Sequence, residues 1–248
     1  MAETKKLNAK GYYVKIIESA FIDICLSALE AYCVKHPESP PTTEPLETFG
    51  LLWGHETALA DGATLYTIQK ASVDTSTKRT PDACAPNSDS LKLKYDFMTA
   101  FFPDLEFLGD FHTHPYLKTV KEISADTLYD ASTDDIKHIK ADANKWISFN
   151  YRVFLVVTIG KHTSIHVDGI EPNKKDEKQN MILFRFGHYR LWVQAYVVYK
   201  LPNSKLEVTN ENTMLQVSGT LLGSAYTKFG DFDPKSVTHI PAWEEDQD

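Results

Sequence analysis

Apolar positions along this 248-residue chain switch between a period of two and a period near 3.6, and the switching predicts strands alternating with helices. Residues 12–16 alternate like a half-buried strand. Residues 17–34 then set Phe21, Ile24, Cys25, Ala28, Leu29 and Tyr32 at three- and four-residue spacing, which predicts an amphipathic helix. The proline-rich stretch 36–45 cannot continue that helix, because proline lacks the amide donor and its ring clashes with the preceding turn. Short apolar runs at 49–53 and 65–73 predict buried strands. The span 74–90, rich in Ser, Thr, Pro, Asp and Asn, predicts a long exposed loop.

A helix is expected over 91–102, stopped by Pro103, and a buried strand over 105–111 that delivers His112-Thr113-His114-Pro115. Ser132 is a good N-cap for a helix over 132–146, with Asp134 and Asp135 in its first turn and Ile136 and Ile139 on one face. The β-branched and aromatic run 151–159 predicts a central strand, with 163–167 as its hairpin partner. Segments 181–186, 191–199 and 205–208 are further strand candidates, although 189–199 also fits a helix. The last forty residues carry no clear pattern, and the acidic tail 244–248 predicts a frayed end. The fold class this implies is mixed α/β (α+β), a mixed central sheet flanked by helices.

Composition narrows the function classes. The net charge of −8 argues against a role resting on attraction to a phosphate backbone, so no nucleic-acid partner is expected. No apolar run reaches the length of a membrane span, and the polar N-terminus lacks the apolar core of a secretory signal. Three cysteines, Cys25, Cys33 and Cys84, are an odd number without paired spacing, which suggests reduced thiols and a cytoplasmic location.

The chemistry concentrates in a few residues. Side chains two apart on an extended strand point to the same side, so His112 and His114 can converge on one metal ion. Catalytic zinc sites keep three protein ligands and an open position, and Asp135, in the first turn of the following helix, is the best-placed third ligand. Glu47, at the mouth of the buried strand Phe49-Gly50-Leu51-Leu52-Trp53, is expected to be partly desolvated, which raises its proton affinity toward that of a useful general base. Ser132 lies three residues before Asp135 and can aim its hydroxyl at a substrate oxyanion, although one proton cannot serve both a cap and an oxyanion.

A glutamate before a Gly-Leu-Leu-x-Gly strand, a His-x-His-Pro at the end of an apolar strand, and a Ser-x-x-Asp opening a helix together resemble the JAMM/MPN+ (JAB domain) metalloproteases. Glu47, His112, His114, Ser132 and Asp135 match that pattern one by one, and the likeness covers residues 10–170. Residues 171–248 would be a β-rich C-terminal extension packed on the core. The resemblance implies an MPN/JAB fold (a cytidine-deaminase-like sheet) and one Zn2+ per chain held by His112, His114 and Asp135. It further implies Glu47 as general base and acid and Ser132 as oxyanion donor. The implied reaction is hydrolysis of peptide or isopeptide bonds at the C-terminal tail of ubiquitin or a ubiquitin-like protein. Bacterial members of the family are often encoded beside ubiquitin-like conjugation enzymes, some in antiviral defence, so such enzymes are implied partners. Here the gap between His114 and Ser132 is longer than the family's usual one. Pro115 to Ala131 would then form an inserted loop beside the cleft, in which Asp126 and Asp130 are fallback ligands.

Other readings are weaker. Ser132-x-x-Asp135 alone also describes an ordinary helix start. His55-Glu56 lacks the second histidine of a zincin, since position 59 is Leu59, and Cys84 stands alone where a base deaminase needs a cysteine pair. A non-catalytic scaffold of the same fold, or a zinc amidohydrolase acting on a small molecule, are the alternatives from other classes.

Overall fold

The computed structural model describes residues 11–34, 44–60, 62–145, 152–164, 169–171, 179–200 and 206–218. The tail expected to fray and most of the proline-rich stretch 36–45 and of the span 163–167 lie outside them. A mixed ten-stranded sheet is built from β1 (Tyr12–Ile17), β2 (Phe49–Ala58), β3 (Thr64–Val73), β6 (Glu106–Thr119), β7 (Val153–Lys161), β8 (Gly169–Glu171), β9 (Met181–Phe186), β10 (Tyr189–Lys200), β11 (Leu206–Thr209) and β12 (Thr213–Ser218). Its order is β12-β1-β3-β2-β6-β7-β10-β9-β8, with β11 added to β10. The pairs β1–β12, β1–β3 and β6–β7 are parallel, and the rest are antiparallel. The sheet curls: the Leu215 amide on β12 donates to the Gln179 carbonyl at 2.9 Å, just before β9.

Helix α1 (Glu18–Cys33) packs on one face, where Phe21, Ile24 and Ala28 join Val14, Ile16, Leu52, Ile68, Leu155 and Val157 in the larger core. On the opposite face α2 (Ser88–Phe101) and α4 (Thr133–Lys145) bury Leu91, Met98 and Ile139 against Phe49, Leu51, Trp53 and Val156. Mixed α/β architecture is therefore what the chain adopts.

Strands alternate which face they show, and both faces here are buried, so a register error would be costly. In β6 that alternation breaks ahead of the histidines. Leu52 pairs with Gly109 but Trp53 pairs with Phe107, leaving Leu108 as an extra residue in a β-bulge. Phe107 packs with the α2/α4 core and Phe111 with the α1 core, although four residues apart in a regular strand would share a face. The bulge thus turns Asp110, His112 and His114 toward the α4 side. Gly109 has φ +147°, and a Cβ there would stand 1.8 Å from the Val153 carbonyl oxygen.

Two expectations change. The span after Pro115 is not a loop: β6 continues to Thr119, and α3 (Val120–Ala125) follows with a full capping box between Thr119 and Glu122. Val120 and the fully buried Ile123 anchor it against Met181, Leu183 and Trp192, an apolar cluster that an exposed loop would not form. The span 74–90 contains a small hairpin, β4 (Lys78–Arg79) with β5 (Cys84–Ala85). Buried Asp74 organises it by accepting hydrogen bonds from the Ser76 and Ser90 hydroxyls. Among the described residues the partners of β7 are β6 and β10; the expected hairpin partner 163–167 falls mostly outside them.

Substituting Gly109→Ala should destabilise the fold by about 2–4 kcal/mol, because the new methyl meets backbone that cannot step aside. Urea unfolding measures this; a loss below about 0.5 kcal/mol, the range of an ordinary surface change, would contradict the bulge geometry.

Candidate metal and hydrolytic site

One end of the sheet gathers the five residues singled out in the sequence around a cavity of about 630 Å³. Strand β6 supplies His112 and His114, 8% and 7% exposed, and the N-terminus of α4 supplies Asp135. The two Nε2 atoms stand 2.8 Å apart. His112 Nε2 lies 3.3 Å from Asp135 Oδ1, and His114 Nε2 lies 3.3 Å from Asp135 Oδ2. Ligand atoms bound at about 2.0–2.1 Å to a tetrahedral ion stand roughly 3.3 Å apart; the two histidine–carboxylate separations match such an edge, while the two Nε2 atoms stand closer together than that.

Protonation suits the same use. Burial pushes His112 down, which keeps it a neutral imidazole with a lone pair to offer. Burial alone would raise the Asp135 carboxyl, but hydrogen bonding to His112 and His114 overrides it and holds the group well below the usual carboxylate range. His114 Nδ1 is buried with no hydrogen-bond partner among the described residues. The His112, His114 and Asp135 group can thus hold a metal ion. Asp126 and Asp130, the fallback ligands, stand outside it: Asp126 pairs with Lys118, and Asp130 accepts from Gln194 Nε2 at 2.9 Å.

Ser132 and Asp135 form a reciprocal cap. The Asp135 amide donates to Ser132 Oγ at 3.0 Å, and the Ser132 amide donates to Asp135 Oδ2 at 2.6 Å. The serine serves the cap as an acceptor, so the expected competition for its proton does not arise. The capping box also fixes the carboxylate that faces the histidines.

Glu47 enters the cavity from the strand beside β6. Thr113, fully buried between the two histidines, accepts the Thr48 amide at Oγ1 (2.8 Å) and returns its own amide to the Thr48 carbonyl (3.0 Å). The Glu47 amide donates to Thr80 of the β4–β5 hairpin at 3.0 Å. Burial pushes the Glu47 carboxyl up to about 7, although His114 and a hydrogen bond from the Cys84 thiol draw it partly back. A carboxyl group poised there can take and return a proton at neutral pH.

Two cavity residues escaped the sequence reading. Asp110 precedes His112 by two, and strand alternation puts it on the same wall. Cys84 touches Glu47 through a hairpin with no recognisable signal. Burial, and then the neighbouring carboxylate, push its thiol up, so it acts as a hydrogen-bond donor and not as a nucleophile. No helix among the described residues is long and apolar enough to cross a membrane. A scan against protein-family models finds none that matches this chain, and a search of curated proteins finds no match either.

The raised Glu47 carboxyl carries a sign that can be measured on metal-free protein. Its folded value near 7 exceeds the ordinary 4.5 of an unfolded chain, so the folded state holds the proton more tightly. The stability this contributes is complete below about pH 4.5 and is lost as pH rises through about 7. Relative to wild type, Glu47→Gln should therefore gain about 3 kcal/mol between pH 4 and pH 8. Urea unfolding at both pH values tests it, and an unchanged difference would remove the burial argument.

Proposed function

We propose that the chain is a zinc metallopeptidase of the JAMM/MPN+ type, with an MPN/JAB fold, that cleaves peptide or isopeptide bonds at the C-terminal tail of ubiquitin or a ubiquitin-like protein. The observation that carries this reading is the meeting, in one cavity, of a neutral histidine, an ionised aspartate and a glutamate poised near neutrality. A second imidazole and a serine hydroxyl complete the set. Nitrogen and oxygen ligands in this number suit zinc.

His112, His114 and Asp135 would hold the ion, whose part when bound is to polarise the scissile carbonyl and make water nucleophilic at neutral pH. Glu47 takes a proton from the attacking water and delivers it to the departing amine, the two tasks for which a value near 7 is suited. Ser132 keeps its O–H proton for the oxyanion while its lone pair remains in the helix cap. Thr113 holds the Glu47 segment in register with the histidine pair. The β4–β5 hairpin lines the cavity through Cys84, and a strand-like substrate tail fits beside such an element by backbone pairing.

Elemental analysis should find about one zinc per chain. Ubiquitin-like fusion proteins are the substrates to try. Glu47→Gln should lower turnover by about 10²–10⁴-fold with zinc retained. His112→Ala should lose both zinc and turnover. Ser132→Ala should lower kcat by about 10²–10³-fold with little change in KM. Absence of zinc from the wild type would point to a scaffold, and zinc with no release of a protein tail would point to a small-molecule amidohydrolase.

A further inference from the structure

The residues that orient Ser132 and Asp135 extend beyond the segment in which the site motif lies. Strand β10 crosses behind the start of α4. Its Gln194 is fully buried and its Tyr196 is 4% exposed. The Ala131 amide donates to the Tyr196 hydroxyl at 2.8 Å, and that hydroxyl donates to Gln194 Oε1 at 2.7 Å. Gln194 Nε2 then donates to Asp130 Oδ1 at 2.9 Å. The hydroxyl thus accepts one bond and donates another.

These bonds end on the two residues immediately before Ser132. The Ser132–Asp135 cap is internal to the first turn of α4 and does not tie that turn to the sheet; the apolar anchor of the helix, Ile139, lies a turn further on. The chain between α3 and α4 is a series of turns in which Leu128 and Tyr129 pack on the cluster around Trp192, Tyr129 stacking on that ring at 6.1 Å.

We propose that Tyr196 and Gln194 are positioning residues: they clamp Asp130 and Ala131 to β10, and so set the first turn of α4 at the distance from β6 at which Asp135 meets both histidines and Ser132 faces the cavity. The inference rests on the reading of Ser132 and Asp135 as site residues. It makes β10, from the region the motif does not reach, part of the site. A buried amide paired to a buried phenol is a rigid support, since neither group can turn to water without losing its partner.

Tyr196→Phe tests it, because the ring that packs against Phe154 is kept and only the hydroxyl is lost. Zinc affinity, measured by competition with a chromophoric chelator, should fall about tenfold or more, and amide hydrogen exchange should quicken at residues 130–135 while β1 stays protected as in wild type. Asp130→Asn keeps an acceptor for Gln194 and should behave as wild type in both measurements. Unchanged affinity and exchange in Tyr196→Phe would overturn the proposal, and so would exchange that quickens equally across the sheet, the mark of a merely structural role. A wild-type chain that takes up no zinc would sink the metallopeptidase reading, and exchange at residues 130–135 would still decide this one.

Discussion

The site depends on a single irregularity of strand geometry. A regular β6 that placed Phe107 in the α2/α4 core would send residues 111 and 113 to that face and turn both histidines into the α1 core. The extra residue at Leu108 reverses the parity, so that Phe111 fills the α1 core and His112 and His114 face α4. Because β2 pairs with β6 downstream of the bulge, with Phe49 opposite His112, the same correction sets where Glu47 enters. The parallel strand β7 fixes the other flank, with Val156 opposite His112 and Thr158 opposite His114. One bulge, held between two neighbours, therefore orients the ligand wall.

Gathering acids and imidazoles in a half-enclosed cavity is unfavourable unless each has a partner or changes its charge state. Glu47 responds by holding its proton to near neutrality. Asp135 responds by keeping its charge, which the serine amide and two imidazole nitrogens satisfy. His112 responds by staying neutral. The outcome is a cluster that is anionic at its centre and rich in lone pairs, an arrangement that a divalent cation would complete.

Much of this was readable from residue order. The strands at 12–16, 49–53 and 65–73, the helix over 17–34 and the helix after Ser132 all carry strong periodicity or a cap, and the structure holds elements there within a few residues. Glu47, His112, His114, Ser132 and Asp135 could be placed on element ends because their neighbours declare those ends. The bulge was hidden, since one isolated glycine in an apolar run is its only trace. Helix α3 was hidden because 120–125 is too short for a helical period to emerge, although Thr119-x-x-Glu122 is a capping signature. The hairpin in 74–90 is held by buried Asp74, and an aspartate in a polar stretch reads as solvated until its partners are known.

Strand β10 explains why 189–199 fitted a helix as well as a strand. Val193, Ala195 and Val197 face the α1 core, while Trp192 and Tyr196 fill clusters on the other side, so both faces are buried and neither a period of two nor one of 3.6 stands out. The discriminating residue is Gln194. An amide in the middle of a doubly buried strand costs stability unless both its oxygen and its nitrogen are bonded, and here they are, to Tyr196 and Asp130. A buried polar residue kept where an apolar one would pack as well signals that something nearby must be held at a set distance. In this fold that something is the turn leading into the Ser132–Asp135 cap.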